Sequence, residues 1–477
     1  MIPPGLAVLI ALLISMHMNN NNNNNTRDYD VVVIGGGSAG LTAALKASED
    51  SCSVLVLEKK TVGGNSAKAS SGMSALSSGD ATEEEIRDFI DDVVVSGGGL
   101  SDEGLVNVLV RASYDAVMFL QGLGVPFDAS RLVQLGGHRV ARTYTVEQGA
   151  VGWTIMSRLK EAIHGHVDVD TGVSVHELVV EGDGSVGGCW YRDSSGRNVR
   201  VRARKGVVLA TGGFGHNATM VRMFVDPSVV PWSTTNGEFA TGDGIVLGER
   251  AGAEVVGIDQ IQIHPTAFVD PADTDADVKI LAPEKLRGLG GILVSDAGRR
   301  FVDELSTRLE VSKAIGSLPK KTAHLILDET VARRVGPAMA FYRAKGLFYS
   351  CASLHDVGAR IGVSEDVLRE TIIEANAMAE GNHVQLGVAN RTHRHVVALE
   401  GEYLVAEVTN AIHYTMGGLK IDTSARVLDK KNKHIRGLYA AGEVTGGIHG
   451  RNRLGGMSLL DCIVFGSIAG KSVSKTL

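Results

Sequence analysis

A glycine-rich segment near the start of the chain carries the clearest chemistry in the sequence. Gly35-Gly36-Gly37-Ser38-Ala39-Gly40 fits the pattern G-x-G-x-x-G, and Glu58 follows 18 residues after Gly40. In such a segment the first glycine makes a tight turn, the second lets a pyrophosphate approach the backbone, and the third lets a helix pack on a strand. The helix N-terminus faces the phosphates, and the acidic residue accepts hydrogen bonds from ribose hydroxyls. The spacing therefore predicts a dinucleotide site.

Three further glycine-rich loops indicate which dinucleotide fits. Residues 63–73 follow Glu58 closely, and residues 210–213 and 441–443 stand at the ends of two further apolar runs. A long cofactor with two ends needs several backbone loops, and a single G-x-G-x-x-G motif disfavours a separate NAD(P)H domain. The pattern therefore points to FAD. The loops supply the predicted contacts Gly35, Gly37, Ser38, Ala39, Gly40, Glu58, Lys59, Gly64, Ser71, Gly212 and Gly442.

Apolar runs predict the elements that hold these loops in place. Strands are expected where a short apolar run ends in glycine or an acid, at residues 30–34, 53–57, 207–210 and 437–441. Residues 41–48 predict the helix between the first two strands, which completes a βαβ unit. The stretch 259–412 differs, because it has longer helical segments such as 364–378 and more scattered polar residues.

The expected fold class is α/β, with a Rossmann-like FAD-binding domain built from both ends of the chain and an inserted α+β domain. The predicted divisions are an N-terminal segment, the first part of the FAD-binding domain, the insert and the second part, at residues 1–27, 28–258, 259–412 and 413–477. The chain has 477 residues, of which 44% are apolar, so it can bury a large core in two or three domains.

Charge and cysteine usage exclude several classes of protein. Lys and Arg number 47 against 54 Asp and Glu, a net charge of −7, and no basic stripe is present, which argues against nucleic acid as a main partner. Cys52, Cys189, Cys351 and Cys462 lie far apart, so motifs for iron–sulfur clusters or haem attachment are absent and no metal is expected. Any redox chemistry must therefore come from an organic cofactor.

The N-terminus has the features of a targeting or linker segment. Residues 3–16 are apolar but too short to span a bilayer comfortably, so no stable membrane span is expected. The run is similar to the apolar part of a signal peptide, although no Lys or Arg precedes it. Asn19 to Asn25 form a tract that cannot build a core. Localisation stays open between a mitochondrial or endomembrane lumen, which the apolar run favours, and the cytoplasm.

Seven separate motifs carry a resemblance to a known family; they are residues 35–40, 63–73, 241–244, 262–265, 299–308, 413–418 and 442–460. From about Asp28 onward the chain resembles the flavoproteins of fumarate reductase and succinate dehydrogenase, in particular the soluble fumarate reductases that lack iron–sulfur subunits. The resemblance implies a domain that caps the flavin. It also implies FAD contacts at Asn65, Ser66, Gly72, Thr211, Asp243, Glu443, Ser458 and Leu459.

The attachment of the flavin also follows from the resemblance. In membrane-bound succinate dehydrogenases a histidine in the loop after the acidic residue carries FAD covalently. Here that loop reads Asn65-Ser66-Ala67-Lys68, without histidine. We therefore expect FAD to be bound non-covalently.

The same resemblance implies the substrate and catalytic residues. His264, His413 and Arg453 occupy positions that hold a dicarboxylate, fumarate or succinate, with Glu284 beside them. Arg308 occupies the position of the proton donor, and Glu284 and Arg287 that of its relay. Arginine normally stays charged. The role therefore requires that proton loss coincide with hydride arrival and that Glu284 reprotonate Arg308; the alternative interpretation is a structural salt bridge.

Two departures from the family pattern leave alternatives open. Pro283 replaces a common threonine, which removes a donor near the substrate carboxylate, and Met457 replaces asparagine or serine. Three alternatives to fumarate reduction stay open. The first is reduction of another unsaturated acid such as urocanate, the second is a reaction like that of 3-ketosteroid dehydrogenases, and the third is a non-enzymatic FAD-binding subunit. The electron donor is expected to be external, either reduced flavin or an NADH-linked protein.

Overall fold

The computed structural model describes residues 26–147, 149–224, 233–379 and 395–476. The apolar run 3–16 and the asparagine tract lie outside the described residues. The first strand begins at Thr26, inside the segment that the sequence assigned to the N-terminus. The reason is that Thr26 and Arg27 pair with Arg200 and Val201 of a neighbouring strand.

The helices are α1 (Ser38–Ser48), α2 (Glu83–Ser96), α3 (Glu103–Arg111), α4 (Ser113–Gly122), α5 (Val151–Ile163), α6 (Ala218–Arg222), α7 (Asp243–Arg250), α8 (Glu284–Gly288), α9 (Arg308–Gly316), α10 (Glu329–Val335), α11 (Ala338–Ala344), α12 (Leu354–Ile361), α13 (Glu365–Ala379) and α14 (Met457–Ser474). The strands are β1 (Thr26–Ile34), β2 (Val54–Glu58), β3 (Met73–Ser74), β4 (Thr143–Tyr144), β5 (Asp168–Thr171), β6 (Ser174–Val180), β7 (Val186–Arg192), β8 (Asn198–Leu209), β9 (Val255–Val256), β10 (Ile261–Phe268), β11 (Ile292–Val294), β12 (Thr322–Asp328), β13 (Tyr349–Cys351), β14 (Tyr403–Thr415), β15 (Gly418–Lys420), β16 (Arg426–Leu428), β17 (His434–Ala440) and β18 (Thr445–Gly446).

The larger sheet has the order β16-β17-β8-β1-β2-β5, and its β17, β8, β1, β2 and β5 run parallel. Val31, Val32 and Val33 are fully buried, as expected for a strand covered on both faces. Strands β6 and β7 extend the sheet as an antiparallel ribbon on the first half of β8. The predicted βαβ unit is confirmed, because β1, α1 and β2 follow one another and β1 pairs with β2.

A second, antiparallel sheet comes from the middle of the chain. Its order is β10-β14-β12-β11, with β13 beside β14. Helices α9 to α13 and this sheet enclose their own two clusters of buried apolar side chains. The predicted boundary at 412/413 falls inside β14, because β14 is one continuous strand that pairs with β10 to its last residue, Thr415.

Helix α14 packs closely against α1 because small residues face the contact. A Cβ on Gly470 would lie 2.4 Å from the carbonyl oxygen of Ala43, and one on Gly466 would lie 2.7 Å from that of Ala39. Among the described residues α14 is the one helix long and apolar enough to cross a membrane, and 72% of it is buried inside the protein. Helices in the core of a folded domain meet the same criterion.

Candidate active site

A cavity of about 760 Å³ lies at the carboxyl ends of the parallel strands β1, β2, β8 and β17. Ligands of open parallel sheets bind at this edge, because the loops that follow the strands converge there. With the exception of Gly40, all of the residues predicted to contact FAD line this cavity. The structure therefore brings the four glycine-rich loops of the sequence to one wall.

Two glycines of the first loop occupy positions that no side chain fits. Gly35 has a φ of +111°, and a Cβ there would lie 2.3 Å from the carbonyl oxygen of Ala210. A Cβ on Gly40 would lie 1.9 Å from the carbonyl oxygen of Gly35. Gly40 thus lies behind the cavity wall, where the absence of a side chain lets α1 pack on the sheet. The absence of a side chain at Gly35 lets the loop lie close to the ends of the strands.

The N-terminus of α1 and Glu58 form the part of the cavity suited to a ribose and pyrophosphate. Gly37 precedes α1 and gives it no side-chain cap, so the first N–H groups of the helix are open to an anion. The Oε2 atom of Glu58 accepts a hydrogen bond from the N–H of Gly36 at 2.7 Å, and its Oε1 accepts one from Lys60 at 2.8 Å. These bonds hold the carboxylate against the glycine loop.

Side chains from distant loops close the other walls. Asn65 donates to Oδ1 of Asn236 at 2.7 Å, and its own Oδ1 accepts from the N–H of Gly237 at 3.0 Å. Lys59 bonds to Asp243 at 2.7 Å. The glycine loops, the open helix N-terminus and the cavity of about 760 Å³ are features that an FAD site requires.

Glu443 lies in the wall between the cofactor loops and β14. Its Oε1 atom accepts a hydrogen bond from the N–H of Thr415 at 2.9 Å. Burial raises its pKa to about 7. The protonated form is therefore accessible near neutral pH, and in that form the carboxyl group can donate to an acceptor on a bound cofactor.

His264 and His413 come from the neighbouring antiparallel strands β10 and β14. The register shifts by one residue between Gln262 and Ile263, which leaves His413 as an extra residue in β14. A β-bulge re-aims a side chain, and bulges are frequent next to active sites. The two imidazole rings lie 5.0 Å apart, centre to centre. His413 lines the cavity, whereas His264 is fully buried behind it.

Hydrogen bonds at Nδ1 orient both rings. The Oγ1 atom of Thr235 lies 2.7 Å from Nδ1 of His413. The Nδ1 atom of His264 lies 3.2 Å from the backbone nitrogen of Thr266 and 3.0 Å from its carbonyl oxygen. The Nε2 atom of His264 is buried and has no hydrogen-bond partner among the described residues. Burial, reinforced by the charge of Arg308, lowers the pKa of both histidines well below the ordinary value, so both rings are neutral at pH 7.

Arg453 lies over an aromatic ring rather than against an acid. Its guanidinium carbon is 4.4 Å from the centre of the Tyr414 ring, and Nη1 donates to the carbonyl oxygen of Leu454 at 3.0 Å. The Nε atom is buried without a hydrogen-bond partner among the described residues. Burial, together with the charge of Arg308, lowers the pKa of Arg453 to about 10, so it stays charged at neutral pH. An arginine held this way is ready to bind a carboxylate.

Arg308 is the first residue of α9, and the cap of this helix, Glu284 and Gln262 hold it in place. Thr307 caps the helix and forms a capping box with Glu310, which fixes the first turn. The Nε and Nη2 atoms of Arg308 each lie 2.7 Å from Oε2 of Glu284, and Nη1 donates to Oε1 of Gln262 at 3.0 Å. Arg308 lines the cavity, and Glu284 lies fully buried behind it.

The Glu284 carboxylate is stabilised as an anion. Burial alone would raise its pKa, but the charges of Arg308 and Arg287 and a 2.6 Å hydrogen bond from the N–H of Gly136 outweigh burial and lower the pKa. Arg287 is buried one turn further along α8 and donates to the carbonyl oxygen of Glu304 rather than to Glu284. The structure therefore places Arg308 and Glu284 in contact, and Arg287 within reach of Glu284 by charge alone.

Several residues of the site were not singled out by the sequence. Gln262 accepts from Arg308 and donates to Asn452 and to the backbone of Arg453, so it connects the two arginines. Thr235 and Tyr414 support His413 and Arg453. Tyr414 is adjacent to His413 in sequence, and Gln262 opens the motif that contains His264, so their positions were a usable signal. The position of Thr235 carries no such signal, because only the sheet brings it to His413.

The fold, the glycine cradle and the pair of buried arginines beside it define an FAD-dependent oxidoreductase. A family model described as an FAD binding domain matches residues 30–459. Fumarate reductase 1 of Saccharomyces cerevisiae is 36% identical over 468 residues, covering 92% of this chain and 97% of that protein. The open conformation of a flavocytochrome c3 fumarate reductase superposes with a TM-score of 0.72 at 33% identity, covering 95% of this chain and 79% of that one. The chain belongs to the fumarate reductase and succinate dehydrogenase flavoprotein family.

The matched region makes up different shares of the relatives' own lengths. The NADH:fumarate oxidoreductase of Klebsiella pneumoniae is 35% identical over 445 residues, which are 92% of this chain but 46% of that protein. The chain thus spans less than half of one relative and nearly all of another.

Proposed function

We propose that this protein reduces fumarate to succinate with electrons from an external donor. The observation that carries the proposal is the buried pair Arg308–Glu284, in which Arg308 stands in the wall of the FAD cavity beside His413 and Arg453 and Glu284 lies behind it. Similarity to fumarate reductases over 92% of the chain supports it. A charged donor group next to a flavin site and two donors for carboxylates are what this reaction requires.

Binding of the dianion rests on Arg453 and the two histidines. Arg453 has unpartnered N–H capacity and binds one carboxylate through paired hydrogen bonds. The neutral ring of His413 lines the cavity and donates from Nε2 to a carboxylate oxygen. His264 lies behind it with an unpartnered Nε2, which donates in the tautomer whose Nδ1 accepts from the N–H of Thr266. Negative charge that develops on a carboxylate in the transition state is stabilised by these fixed donors, which need not reorganise.

Proton delivery is assigned to Arg308. When bound, FAD supplies a hydride from its N5 atom to one alkene carbon. Arg308 gives a proton to the other carbon, and the Glu284 carboxylate at 2.7 Å holds the guanidinium in position. After the transfer Glu284 takes up a proton from solvent and passes it to Arg308, which restores the charged guanidinium. The transfer to carbon must coincide with hydride arrival, because a neutral arginine is otherwise unfavourable.

The experiment is anaerobic oxidation of a reduced viologen dye by the FAD-loaded protein. We expect rapid dye oxidation when fumarate is added and much slower oxidation with urocanate or cinnamate, because the site offers cationic and donor groups for both ends of a small dicarboxylate. A faster rate with urocanate would replace the proposal with the reductase of another unsaturated acid. No turnover with any acid would favour an FAD-binding subunit without activity.

The donor is proposed to be a diffusible reduced flavin or an NADH-linked protein. Replacing the dye with reduced flavin, and then with NADH in the presence and absence of a flavin reductase, separates these sources. We expect NADH alone to be ineffective, because the chain has a single dinucleotide motif. Direct oxidation of NADH by the purified chain would contradict this part of the proposal.

A further inference from the structure

A second cavity, of about 930 Å³, lies on the far side of the short helix α8. Its wall includes Arg287 and Gly288, whereas Pro283 and Leu286 face the FAD cavity. Lys285 contributes to both walls. One short helix therefore separates the FAD cavity from a space that the proposed reaction does not use.

The described wall of this second cavity is strongly cationic. It contains seven Lys and Arg residues against three Asp and Glu residues, an excess of four positive charges. One of the acids, Glu304, is already paired with Arg300 at 2.6 Å. Within the described part of the chain, neither Lys285 nor Arg334 has an acidic partner within 4 Å, and burial lowers the pKa of Lys285. Arg139 and Arg333 pair with acids outside the wall, Asp92 and Glu329. The cations of the wall without an acidic partner among the described residues are therefore Lys285, Arg287 and Arg334, and unneutralised charge in a concave wall attracts and concentrates anions.

Arg287 adds a buried guanidinium group that is only partly hydrogen-bonded. It is only 2% exposed, and its Nε and Nη2 atoms have no hydrogen-bond partner among the described residues. A buried guanidinium normally has its donors satisfied, because an unmade hydrogen bond of a charged group is costly. Since Arg287 lines the second cavity, a ligand in that space supplies the acceptor that the protein does not.

We propose that the second cavity binds a small, doubly charged oxyanion on Arg287, with Lys285 and the pair Arg333 and Arg334 of α10 as further cationic contacts. Arg287 and Lys285 stand on α8, and Arg333 and Arg334 approach from α10, so a bound ion joins two helices of the inserted region. The shared chemistry is that of sulfate-like ions and of short dicarboxylates. Both present several oxygen acceptors to guanidinium groups.

The test is the melting temperature of the FAD-loaded protein as a function of sulfate, with sodium chloride adjusted to keep the ionic strength constant. A ligand that binds the folded state raises the melting temperature with its concentration. Arg333→Gln/Arg334→Gln removes the exposed contacts, and Arg287→Gln removes the buried one. Arg343→Gln, an exposed arginine outside both cavities, is the matched control.

We expect sulfate to raise the melting temperature of the unaltered protein and of Arg343→Gln equally. In Arg287→Gln and in the double variant the rise should fall by about half or more, each measured from its own sulfate-free value. Sulfate held at Arg453 instead would give the same rise in all four proteins and overturn the proposal, as would no rise in the unaltered protein. A rise retained in Arg287→Gln alone would overturn the placement on that residue.

A parallel series with succinate distinguishes the sources of the ligand. A difference between cavity variants and control with sulfate only assigns the site to inorganic oxyanions, and a difference with both assigns it to carboxylates as well. The measurement requires no turnover, so its failure is distinguishable from failure of the proposed reduction of fumarate.

Discussion

Arg308 and Arg453 are buried arginines with different partners, which predicts different kinetic defects. Arg308→Ala removes the proposed proton donor, a role that matters mainly in the transition state. We expect kcat to fall by about 10²–10⁴-fold or more, with FAD retained and fumarate affinity within about tenfold of the unaltered protein. Arg453→Ala removes a contact already made to the bound substrate, so KM should rise as well. Steady-state kinetics and the visible flavin spectrum measure both variants.

A result that would count against this assignment is Arg308→Ala with more than about a tenth of the original kcat. The pair with Glu284 would then be a structural salt bridge. Since Glu284 is fully buried, Arg308→Ala leaves an unpaired carboxylate in the interior under both assignments, so kcat and not stability distinguishes them.

Thr235 is predicted to set the proton position on His413. Its hydroxyl lies 2.7 Å from Nδ1, and donation to that atom leaves the proton of the neutral ring on Nε2. Thr235→Val keeps the shape of the side chain but removes the hydroxyl, so KM for fumarate should rise about fivefold, the equivalent of one lost hydrogen bond. Thr235→Ser restores the hydroxyl and should restore KM. Equal KM values for the valine and serine variants would show that the hydroxyl has no such role.

At the scale of elements, α8 presents Pro283 to the FAD cavity without a side-chain cap. Pro283 adopts an extended conformation that threonine also adopts, and a threonine hydroxyl there adds a donor near the substrate carboxylate. We expect Pro283→Thr to lower KM for fumarate about threefold to fivefold, again one hydrogen bond, with kcat unchanged. Pro283→Ala is the control that removes the ring without adding the hydroxyl. A decrease of KM in both variants would assign the effect to the loss of proline.

The elements show what sequence could and could not predict. The unit β1-α1-β2 was predictable, because its strands are unbroken apolar runs and glycine marks the turn between β1 and α1. The fold class and FAD also followed from such local signals. The full length of β8 was missed, because the expected strand covered only residues 207–210. The first half of β8 alternates buried Val199 and Val201 with charged residues, a strand pattern, and pairs with both β7 and β1. The bulge at His413 could not be predicted from the sequence, since it depends on the register between strands about 150 residues apart.

The site residues divide in the same way. Arg308, Glu284, His413 and Arg453 were found by resemblance, and the structure brings them together. Arg287 was assigned to the relay with Glu284, and in the structure it hydrogen-bonds the backbone of Glu304. A spacing of three residues on α8 indicates that the two side chains share a side of the helix, but not which acceptor the longer one reaches.

At the scale of the whole molecule, the mode of flavin attachment is testable in one step. The position that carries a covalent histidine in succinate dehydrogenases lies in the loop with Asn65, whose side chain is engaged with Asn236 and Gly237. We expect the purified protein to be yellow and to release its flavin into the supernatant on acid or heat denaturation. Flavin that precipitates with the polypeptide would contradict non-covalent binding.

The direction of catalysis is also a property of the whole chain. The four cysteines lie far apart, so the chain has no iron–sulfur path that could take electrons away from the flavin. We therefore expect fumarate reduction with a reduced dye to exceed succinate oxidation with an oxidised dye under matched conditions. Comparable initial rates in the two directions would contradict this expectation.

The antiparallel ladder between β10 and β14 has a consequence for how this family diversifies. Because His264 and His413 stand on adjacent strands, backbone pairing sets the gap between the two rings, and side-chain substitutions elsewhere do not alter it. If both rings bind the substrate, as proposed above, this fixed gap limits the length of the acid that the site accepts. Family members that accept longer or bulkier acids should therefore keep the pairing of β10 with β14. They should differ on the opposite side of the site, around Pro283 at the start of α8, where one substitution changes the chemistry without disturbing a strand.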